Sequence, residues 1–511
     1  MKAKGLFCVL SVLLAVILMM TACTGGEQET SSAASSGTDN VSETSGDGLG
    51  GIENYVEKKD YGGRTLVFLS PRMNDPAKSE TEFVVNTYSN EYEGEKMAAR
   101  LNEAIGERNA RVEEYLNVQI EERLIQEDSR PGGTMLTTVR NEIIAGGSTD
   151  YHVVTPCLYD CATLAAENSF VNLLSIPTLD MSNPWWDQSF NGDVSLAGKL
   201  YFTNGDIGFN SKLATAVVVF NKELHEEYEF ENLYDLVRNG EWTMDKALEM
   251  TKEISQDLNQ DGEITYEDKV GWEGQLDDTW NIFYGSGSRI ASFDQDGKLQ
   301  LTMYTERSAQ AAEKIIELVQ DDLHYISAND YFSVVQWPVE LMMENFVAGN
   351  ALFFSDSLSC TLTFRNMDAD YGILPIPMLD SNQERYYSFV NPWVSSALAI
   401  PATHTGEDLE FIGAVLECMG YYSMDTVAYE FYDVALKYQQ SRDDDSMEML
   451  DRIFDTRGVD IGSVFKIGNY DSVLHNLATA APGTFRSAYE AAEVAAQTRI
   501  DQLNELFQKL K

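Results

Sequence analysis

Residues 257–268 form an acidic segment that places oxygen-bearing side chains at the spacing of a calcium-binding loop. Ca²⁺ is a hard cation that binds about six to eight oxygen atoms, and a glycine at the sixth loop position allows the sharp turn that it needs. Gly262 stands at that position, and an apolar residue follows two places later. The ligands expected from this spacing are Asp257, Asn259, Asp261, Glu263 through its backbone carbonyl, and Asp268.

The last ligand position of this loop departs from the usual pattern. Asp268 stands where sensor loops carry a glutamate, and the shorter carboxylate predicts weaker binding, which suits an extracellular setting rich in calcium. Only one such loop is visible in the sequence, so we expect a structural ion that holds the loop rather than a switch. The alternative is a solvated acidic turn after the helix predicted at 245–256.

Patterns of catalytic residues are missing from the sequence. None of the five histidines lies in a His-Glu-x-x-His pattern, and the sequence has no Gly-x-Ser-x-Gly elbow, phosphate-binding loop or dinucleotide fingerprint. The 82 acidic residues are too many to single out one pair for glycoside hydrolysis. We therefore predict no catalytic residues, although a glycosidase pair stays possible at this stage.

The N-terminus carries a second kind of chemistry. Lys2 and Lys4 precede an apolar run at 5–20, which is too short for a confident membrane span and is typical of a secretory signal. The run ends in Met20-Thr21-Ala22-Cys23, which resembles the bacterial lipobox. We expect residues 1–22 to be a lipoprotein signal peptide, Cys23 to carry lipid, and 23–60 to be a flexible Ser/Thr/Gly tether. An ordinary signal peptide with a chance cysteine is the alternative.

These N-terminal features predict a protein held by lipid on the outer face of a bacterial cell membrane. Of the six cysteines, four lie in the body of the chain, which is too few for a disulfide scaffold. Their spacing does not match a zinc site. We expect buried free thiols at Cys157, Cys161, Cys360 and Cys418.

Composition limits the class of protein. The 511 residues include 36 basic and 82 acidic side chains, a net charge of −46, so nucleic acid and anionic membrane surfaces would be repelled. Hydrophobic residues make up 44% of the chain, which is enough to build large cores and argues against wholesale disorder. The length predicts two to four domains or lobes.

Strand and helix patterns alternate along the body of the chain. Apolar, β-rich runs occur at 65–69, 118–120, 151–154, 216–220, 351–354, 371–374 and 396–400. Helical stripes lie between several of them, for example at 97–116, 136–144, 312–323 and 409–419, and a long Ala-rich helix is predicted at 487–510. This alternation predicts an α/β fold with largely parallel sheets.

Several segments resemble one protein family in their order along the chain. They are 151–154, 170–174, 180–187, the Asn221-Lys222 segment at 220–224, Gly240-Glu241-Trp242-Thr243 with Asp245, the 257–268 loop, Gly372 to Pro377, and 443–450. With the lipobox and tether, they are similar to an extracellular solute-binding protein of an ABC importer, family 1, the class of maltose-binding protein. The resemblance covers nearly the whole chain after the tether.

The resemblance implies a two-lobed type II periplasmic-binding-protein fold, with two discontinuous α/β lobes joined by hinge strands. It places lobe one at 61–205 plus 395–430 and lobe two at 206–394 plus 431–511. It also implies a non-enzymatic, monomeric receptor that captures a carbohydrate, expected to be an oligosaccharide, and delivers it to the transmembrane subunits of an ABC permease.

Candidate ligand-binding residues lie in loops at strand ends, where aromatic faces could stack on sugar C–H faces and polar groups could bind hydroxyls. Asp356 lies where the resemblance places a cleft residue, and Arg72 could equally form a surface ion pair. We expect Trp185, Trp186 and Trp242 to serve packing instead. The ligand-binding candidates are Arg72, Tyr159, Asp277, Trp280, Asp356 and Trp393.

Two other functions stay open from the sequence. A surface glycoside hydrolase would need a carboxylate pair and would release reducing sugar from glycans. A glycan-display lipoprotein would have no permease partner. Neighbouring genes for two multi-spanning permease subunits would argue against the display hypothesis.

Overall fold

Two separate β-sheets form the framework of the protein. The computed structural model describes residues 50–72, 82–85, 95–146, 149–364, 367, 369–432 and 443–510, all of them within the compact unit Ser45–Lys511. The predicted signal peptide, Cys23 and the tether up to residue 49 lie outside the described residues. The end of the predicted tether, 50–60, is not a free linker, because Ile52 and Val56 are buried in the core and Tyr55 packs against Trp185.

The first sheet has three parallel strands: β1 (Arg64–Arg72), β2 (Val118–Gln126) and β3 (Val153–Val154), in the order β2-β1-β3. The middle of β1 is a continuous run of buried residues, which is expected for a parallel strand that helices cover on both faces. In register, Arg72 pairs with Gln126 and Leu69 with Val154, so the carboxyl ends of the strands share one edge.

The second sheet has five strands: β4 (Ala216–Asn221), β5 (Val270–Gly274), β8 (Tyr325–Ser327), β9 (Ala351–Ser357) and β10 (Tyr371–Leu374). Their order is β10-β4-β9-β5-β8. β5 runs parallel to β8 and β9, so the carboxyl ends of these three strands also share one edge. β4 is antiparallel to β9 and begins at that edge, where Ala216 pairs with Ser357.

Short two-stranded ladders complete the strands: β6 (Ala291–Phe293) with β7 (Leu299–Leu301), and β11 (Ser388–Phe389) with β12 (Arg457–Gly458). The helices are α1 (Glu95–Leu116), α2 (Thr134–Ala145), α3 (Leu158–Ala166), α4 (Gln188–Val194), α5 (Asn210–Leu213), α6 (Lys222–Glu227), α7 (Leu233–Asn239), α8 (Met244–Ile254), α9 (Asp278–Gly285), α10 (Glu306–Val319), α11 (Val339–Val347), α12 (Thr361–Phe364), α13 (Glu407–Ser423), α14 (Val427–Tyr429), α15 (Asp444–Asp455), α16 (Ile461–Val464), α17 (Tyr470–His475) and α18 (Phe485–Lys509).

The chain passes between the two sheets in extended segments. Isolated bridges join Leu398 to Thr203 and Ala399 to Val154 on the side of the first sheet, whereas Val390 bridges to Thr215 beside β4. The strand predicted at 396–400 therefore occurs as isolated bridges rather than as a regular strand, because successive residues pair with different neighbours. The predicted division at 61–205 plus 395–430 and 206–394 plus 431–511 stays a prediction.

Local signals set several helix ends. α8 begins after Thr243, whose hydroxyl accepts a 3.4 Å hydrogen bond from the Lys246 amide, as an N-cap does. α2 ends at Gly146, which has a left-handed φ of 69°. α10 ends at Val319, so Leu323 lies beyond the helix that its stripe predicted and is 44% exposed.

Large side chains fill the cores as the sequence predicted. Trp185, Trp186 and Trp242 are buried. In the described part of the chain, the four body cysteines are buried and form no disulfide, which confirms the expectation of free thiols. The C-terminal helix α18 packs near β7 and α10, and Lys199 donates a 2.7 Å hydrogen bond to the carbonyl of Phe507.

Candidate functional site

Asp277 lies at the centre of a group of polar and aromatic side chains between the two sheets. It follows β5 and immediately precedes α9, at the carboxyl edge of the second sheet. Its Oδ2 accepts a 2.7 Å hydrogen bond from the Asn391 side-chain amide. Its Oδ1 lies 3.3 Å from Nε2 of His475. This carboxylate therefore joins three distant parts of the chain.

Trp280 lies one helical turn further along α9 and packs against the C-terminal part of the chain. Its indole stacks on the imidazole of His475, with ring centroids 4.0 Å apart and planes 9° from parallel. Its Nε1 donates a 3.0 Å hydrogen bond to the backbone carbonyl of Asp471. One face of the indole is thus covered by a side chain of α17.

Trp393 belongs to the segment at 390–400 that crosses between the two sheets, which we call the crossing segment. Its backbone amide donates a 2.9 Å hydrogen bond to Oδ1 of Asn391, and its indole Nε1 donates a 2.8 Å bond to the carbonyl of Arg130. The Arg130 guanidinium donates in return to the carbonyls of Trp393 and Val394, at 3.4 and 3.3 Å. These bonds fasten the loop after β2 to the crossing segment.

Tyr159, in the first turn of α3, brings the first sheet into the group. Its side chain is buried, and the ammonium of Lys466 lies 4.1 Å from its ring centroid. Among the described residues, neither its hydroxyl nor Oδ1 of buried Asp471 has a hydrogen-bond partner of standard geometry. Two buried polar atoms without partners are costly unless a ligand or water fills the space beside them.

Burial controls the ionisation of this group. Burial, followed by the charges of Asp471 and Asp277, raises the pKa of Tyr159 above its ordinary value, so its hydroxyl stays protonated. Burial also raises the pKa of Asp471 to about 6, against the opposing effect of Lys466. The group therefore offers both a phenolic O–H donor and carboxylate acceptors near neutral pH.

We call this group the cleft cluster; it contains Arg130, Tyr159, Asp277, Trp280, Asn391, Trp393, Lys466, Asp471 and His475. The structure thus brings together four of the six predicted ligand residues, namely Tyr159, Asp277, Trp280 and Trp393.

Arg72 and Asp356 lie at the neighbouring strand ends. Arg72 is the last residue of β1, where its carbonyl accepts a 2.8 Å hydrogen bond from the Glu127 amide. Asp356 lies near the end of β9, and its Oδ1 accepts a 2.6 Å bond from the Ser357 amide. The assignment of these residues to ligand contact stays a prediction.

Asp278, beside Asp277, is a fully buried carboxylate that anchors α9 to the second sheet. It accepts hydrogen bonds from the hydroxyls of Tyr325 and Ser355, at 2.7 and 2.5 Å, and from the Asn281 amide at 3.0 Å. Burial raises its pKa to about 7, and the charge of Asp356 adds to the rise. These bonds hold the first turn of α9, which follows Asp277, against the second sheet.

The loop between β8 and α11 adds aromatic surface that sequence reasoning missed. It lies at the same carboxyl edge, because Oδ1 of Asn329 accepts a 2.8 Å hydrogen bond from the Leu276 amide, next to Asp277. Phe332 and Trp337 in this loop are 60% and 54% exposed. The only hint in the sequence was the position of Trp337 directly before Pro338, which precedes α11, and this position does not indicate whether the tryptophan side chain is exposed.

The predicted calcium loop is held by hydrogen bonds to its own backbone. Asp257 accepts bonds from the amides of Gln260 and Gly262, at 2.6 and 2.8 Å, and Gly262 has the left-handed φ of 91° that the turn requires. Asp268 is fully buried and accepts bonds from the Leu258 and Thr265 amides, both at 2.9 Å.

Metal binding by this loop stays a prediction. Among the residues that the structure describes, no group of three or more His, Cys, Asp or Glu side chains converges as a metal site would. The donors are all oxygens, which suits Ca²⁺, and each carboxylate oxygen that accepts one amide bond keeps a second lone pair.

Comparison with known proteins shows a shared fold. No family model matches the chain, and no curated protein matches its sequence. Among solved structures, it is similar to a cyclo/maltodextrin-binding protein complexed with maltotetraose, with a TM-score of 0.53 and 13% identity over 88% of this chain and 98% of the other.

Two further structures agree with this result. An ABC substrate-binding protein from Listeria monocytogenes in complex with cycloalternan has a TM-score of 0.51 and 12% identity, over 87% of this chain and 99% of the other. The maltose/maltodextrin-binding domain MalE from Bdellovibrio bacteriovorus bound to maltotriose also has a TM-score of 0.51 and 12% identity, over 86% and 100%.

These matches confirm the predicted fold class: the chain has the two-lobed α/β fold of periplasmic binding proteins. Within the part of the chain that the structure describes, no helix combines the length and apolar character needed to cross a membrane.

Proposed function

We propose that this chain, which has the two-lobed fold of ABC solute-binding proteins, captures a carbohydrate between its lobes and delivers it to a membrane permease. The observation that carries the proposal is the cleft cluster. Side chains that follow strands of both sheets meet there with residues of the crossing segment, so one ligand could contact all three.

The chemistry of the cleft cluster suits a neutral polyhydroxylated ligand. Sugar hydroxyls both donate and accept, and the cluster offers carboxylates as acceptors and the Tyr159 hydroxyl as donor. Trp280 and Trp393 supply aromatic faces for sugar C–H groups. Asp471 Oδ1 and the Tyr159 hydroxyl have no hydrogen-bond partner of standard geometry among the described residues, so each would gain a well-formed bond from a sugar hydroxyl that reaches it.

Binding in this place would couple to lobe closure. A ligand that contacts both lobes favours the closed state by its extra affinity for that state. The Trp393–Arg130 bonds tie the crossing segment to lobe one, and the Asn391–Asp277 bond ties it to lobe two. The lobes would therefore close by rotating about the crossing segment, which itself contributes residues to the binding site.

The finer proposals concern location and partners. We propose that residues 1–22 are removed, that Cys23 carries lipid on the outer face of the cell membrane, and that the protein acts as a monomer with ABC permease subunits. We also propose that it is not an enzyme and that the 257–268 loop holds one structural Ca²⁺. Labelling of cells with a radioactive fatty acid tests the anchor, because Cys23→Ala should abolish the label and release the protein.

A thermal-shift screen of the purified protein against oligosaccharides tests the proposed function. We expect at least one neutral oligosaccharide to raise the melting temperature, because a ligand that binds only the folded state stabilises it. Chromatography of the recovered sugar should show no cleavage. The absence of any stabilising sugar, or the release of reducing ends, would contradict the proposal.

A further inference from the structure

A cavity lies between the lobes, on the other side of the crossing segment from the cleft cluster. Its volume is about 370 Å³, near the lower end of the range of roughly 300–1,000 Å³ usual for small-molecule sites. We call it the hinge cavity. Its main walls are Trp186, Asp206, Lys212, Tyr429, Phe454 and Arg457.

Strand order separates the two sites. Next to β3, the first sheet continues through Ala399 and Leu398, then Thr203, and then the bridge between Gly205 and Trp186. Tyr159 of the cleft cluster follows β3, whereas Trp186 lies at the far end of this row. The crossing segment therefore lies between the cleft cluster and the hinge cavity.

A buried cation, Arg457, forms part of the wall of the hinge cavity. Arg457 is only 5% exposed, and its Nη2 donates a 3.1 Å hydrogen bond to the Ser211 carbonyl and lies 3.6 Å from Oδ2 of Asp187. Its Nε is sealed by the surrounding protein and has no hydrogen-bond partner among the described residues, so this atom does not face the cavity. The guanidinium therefore contributes positive charge to the wall, which Asp187 offsets.

The other side chains that line the hinge cavity carry balanced charges and add aromatic rings. Lys212 and Asp206 form an ion pair at 2.7 Å, and Asp187 offsets Arg457, so the cavity has no excess of either sign. Tyr429 is 54% exposed, and the half-buried ring of Phe454 lies nearby. Balanced charge, polar groups and aromatic faces together favour a neutral, hydroxylated ring over an ion or a purely apolar molecule.

We propose that the hinge cavity is a second binding site, which takes a mono- or disaccharide. Its walls come from the segments at 184–187 and 205–206, from α5, from α14, and from the end of α15 together with the first residue of β12. A ligand there touches chain segments on both sides of the hinge, so it changes the balance between open and closed lobes. By linkage, it changes the affinity of the cleft, and a cleft ligand changes the affinity of the hinge cavity by the same factor.

Calorimetric titration of the purified protein with glucose and with maltose tests this proposal. Asp277→Ala removes the central carboxylate of the cleft and should leave binding to the hinge cavity intact. Ala428→Trp fills the hinge cavity from α14, and Tyr429→Ser removes its exposed ring. Each of the last two variants should weaken the remaining binding at least tenfold when placed in the Asp277→Ala background.

Controls separate this result from loss of folding. Tyr304→Ser removes another partly exposed tyrosine, which stacks on Tyr489 of α18 and does not line the hinge cavity. This variant should leave sugar binding unchanged. Circular dichroism should show all variants folded. In the otherwise unchanged protein, saturating glucose should shift the affinity of the cleft for a longer oligosaccharide, and Ala428→Trp should abolish that shift.

The outcomes distinguish this proposal from the proposed function. Absence of glucose and maltose binding in Asp277→Ala, or undiminished binding in its combination with Ala428→Trp, would overturn the hinge site. Failure of every oligosaccharide to bind a protein that still takes glucose at the hinge cavity would overturn the cleft proposal alone.

Discussion

The carboxylate of Asp277 accepts a 2.7 Å hydrogen bond from the side-chain amide of Asn391, 114 residues further along the chain. Asp277 immediately precedes α9, at the carboxyl edge of the second sheet. Asn391 lies in the segment that crosses to the first sheet. Asn391 in turn accepts the amide of Trp393. The orientation of one carboxylate in the cleft is therefore set by the segment that would move when the lobes close.

The two cleft tryptophans should contribute directly to sugar affinity. We expect Trp280→Ala and Trp393→Ala each to weaken binding of the oligosaccharide found in the screen at least tenfold, about 1.4 kcal/mol, because each removes an aromatic face or its support. Calorimetry measures the affinity, and thermal melting checks the fold. Ala substitution of exposed Val494 on α18 is the control. Unchanged affinity in both tryptophan variants would contradict the assignment of these residues to the sugar-binding site.

Trp337 should matter only for long ligands. It lies on the loop between β8 and α11, which the Leu276–Asn329 hydrogen bond joins to the segment before Asp277, and it is 54% exposed. We expect Trp337→Ala to weaken binding of the full oligosaccharide about threefold to tenfold and to leave binding of its disaccharide unit unchanged. Competition titrations compare the two ligands. An equal loss for both would mean that Trp337 supports the fold rather than the outer end of the ligand.

Calcium removal should lower stability if the 257–268 loop holds the ion. We expect EDTA to lower the melting temperature and excess Ca²⁺ to restore it, because an ion bound only by the folded state stabilises that state. Asp257→Ala should abolish the response, whereas Asp150→Ala, which alters an exposed aspartate paired with Arg123, should keep it. A melting temperature insensitive to EDTA in the unaltered protein would count against the site.

Asp278 should make stability depend on pH. Burial raises its pKa to about 7, whereas the same group titrates near 4 in the unfolded chain. Below about pH 4 it is protonated in both states. Between about pH 4 and 7 the unfolded chain ionises first, so this group lowers the free energy of unfolding as the pH rises, and above about pH 7 the loss is complete.

Replacement by a neutral amide isolates this effect. We expect the melting temperature of Asp278→Asn, relative to the unaltered protein, to be higher at about pH 8 than at about pH 5. Glu82 and Glu417, whose pKa values burial also raises to about 7, stay in both proteins and cancel. Exposed Asp150→Asn should show no such trend. A difference that does not change with pH would contradict the assigned ionisation.

Apolar runs in the sequence marked β1 to β4, β9 and β10 and so indicated the α/β class, whereas β5 and β8 were not predicted and the two-lobed arrangement followed from the family resemblance. The middle residues of β4, Val217, Val218 and Val219, are all fully buried, as such a run predicts. The segment at 396–400 looked like another strand but pairs alternately with two different neighbours. Which neighbour a residue pairs with depends on how the lobes pack, and the period of side chains does not contain that information.

The site could be predicted only in part. Asp277 and Trp280 were predicted as loop residues before the glycine-rich turn at 285–287, although β5, the strand that precedes them, carries no apolar run and was not predicted. Asp471, which accepts the Trp280 indole hydrogen bond, lies 191 residues away and marks no motif. His475 reaches the cleft because α17 packs on α9, and Lys466 reaches it because α16, which it follows, packs on α3. Such contacts follow from tertiary packing and left no local pattern in the sequence.

Calorimetric titration of the unaltered protein and of Asp277→Ala with the oligosaccharide from the screen tests the central claim most directly. We predict saturable binding of the oligosaccharide by the unaltered protein, at least a tenfold loss in Asp277→Ala, and recovery of intact sugar. Asp150→Ala should bind as the unaltered protein does. Equal affinity in Asp277→Ala, or recovery of cleaved sugar, would contradict capture of carbohydrate between the lobes.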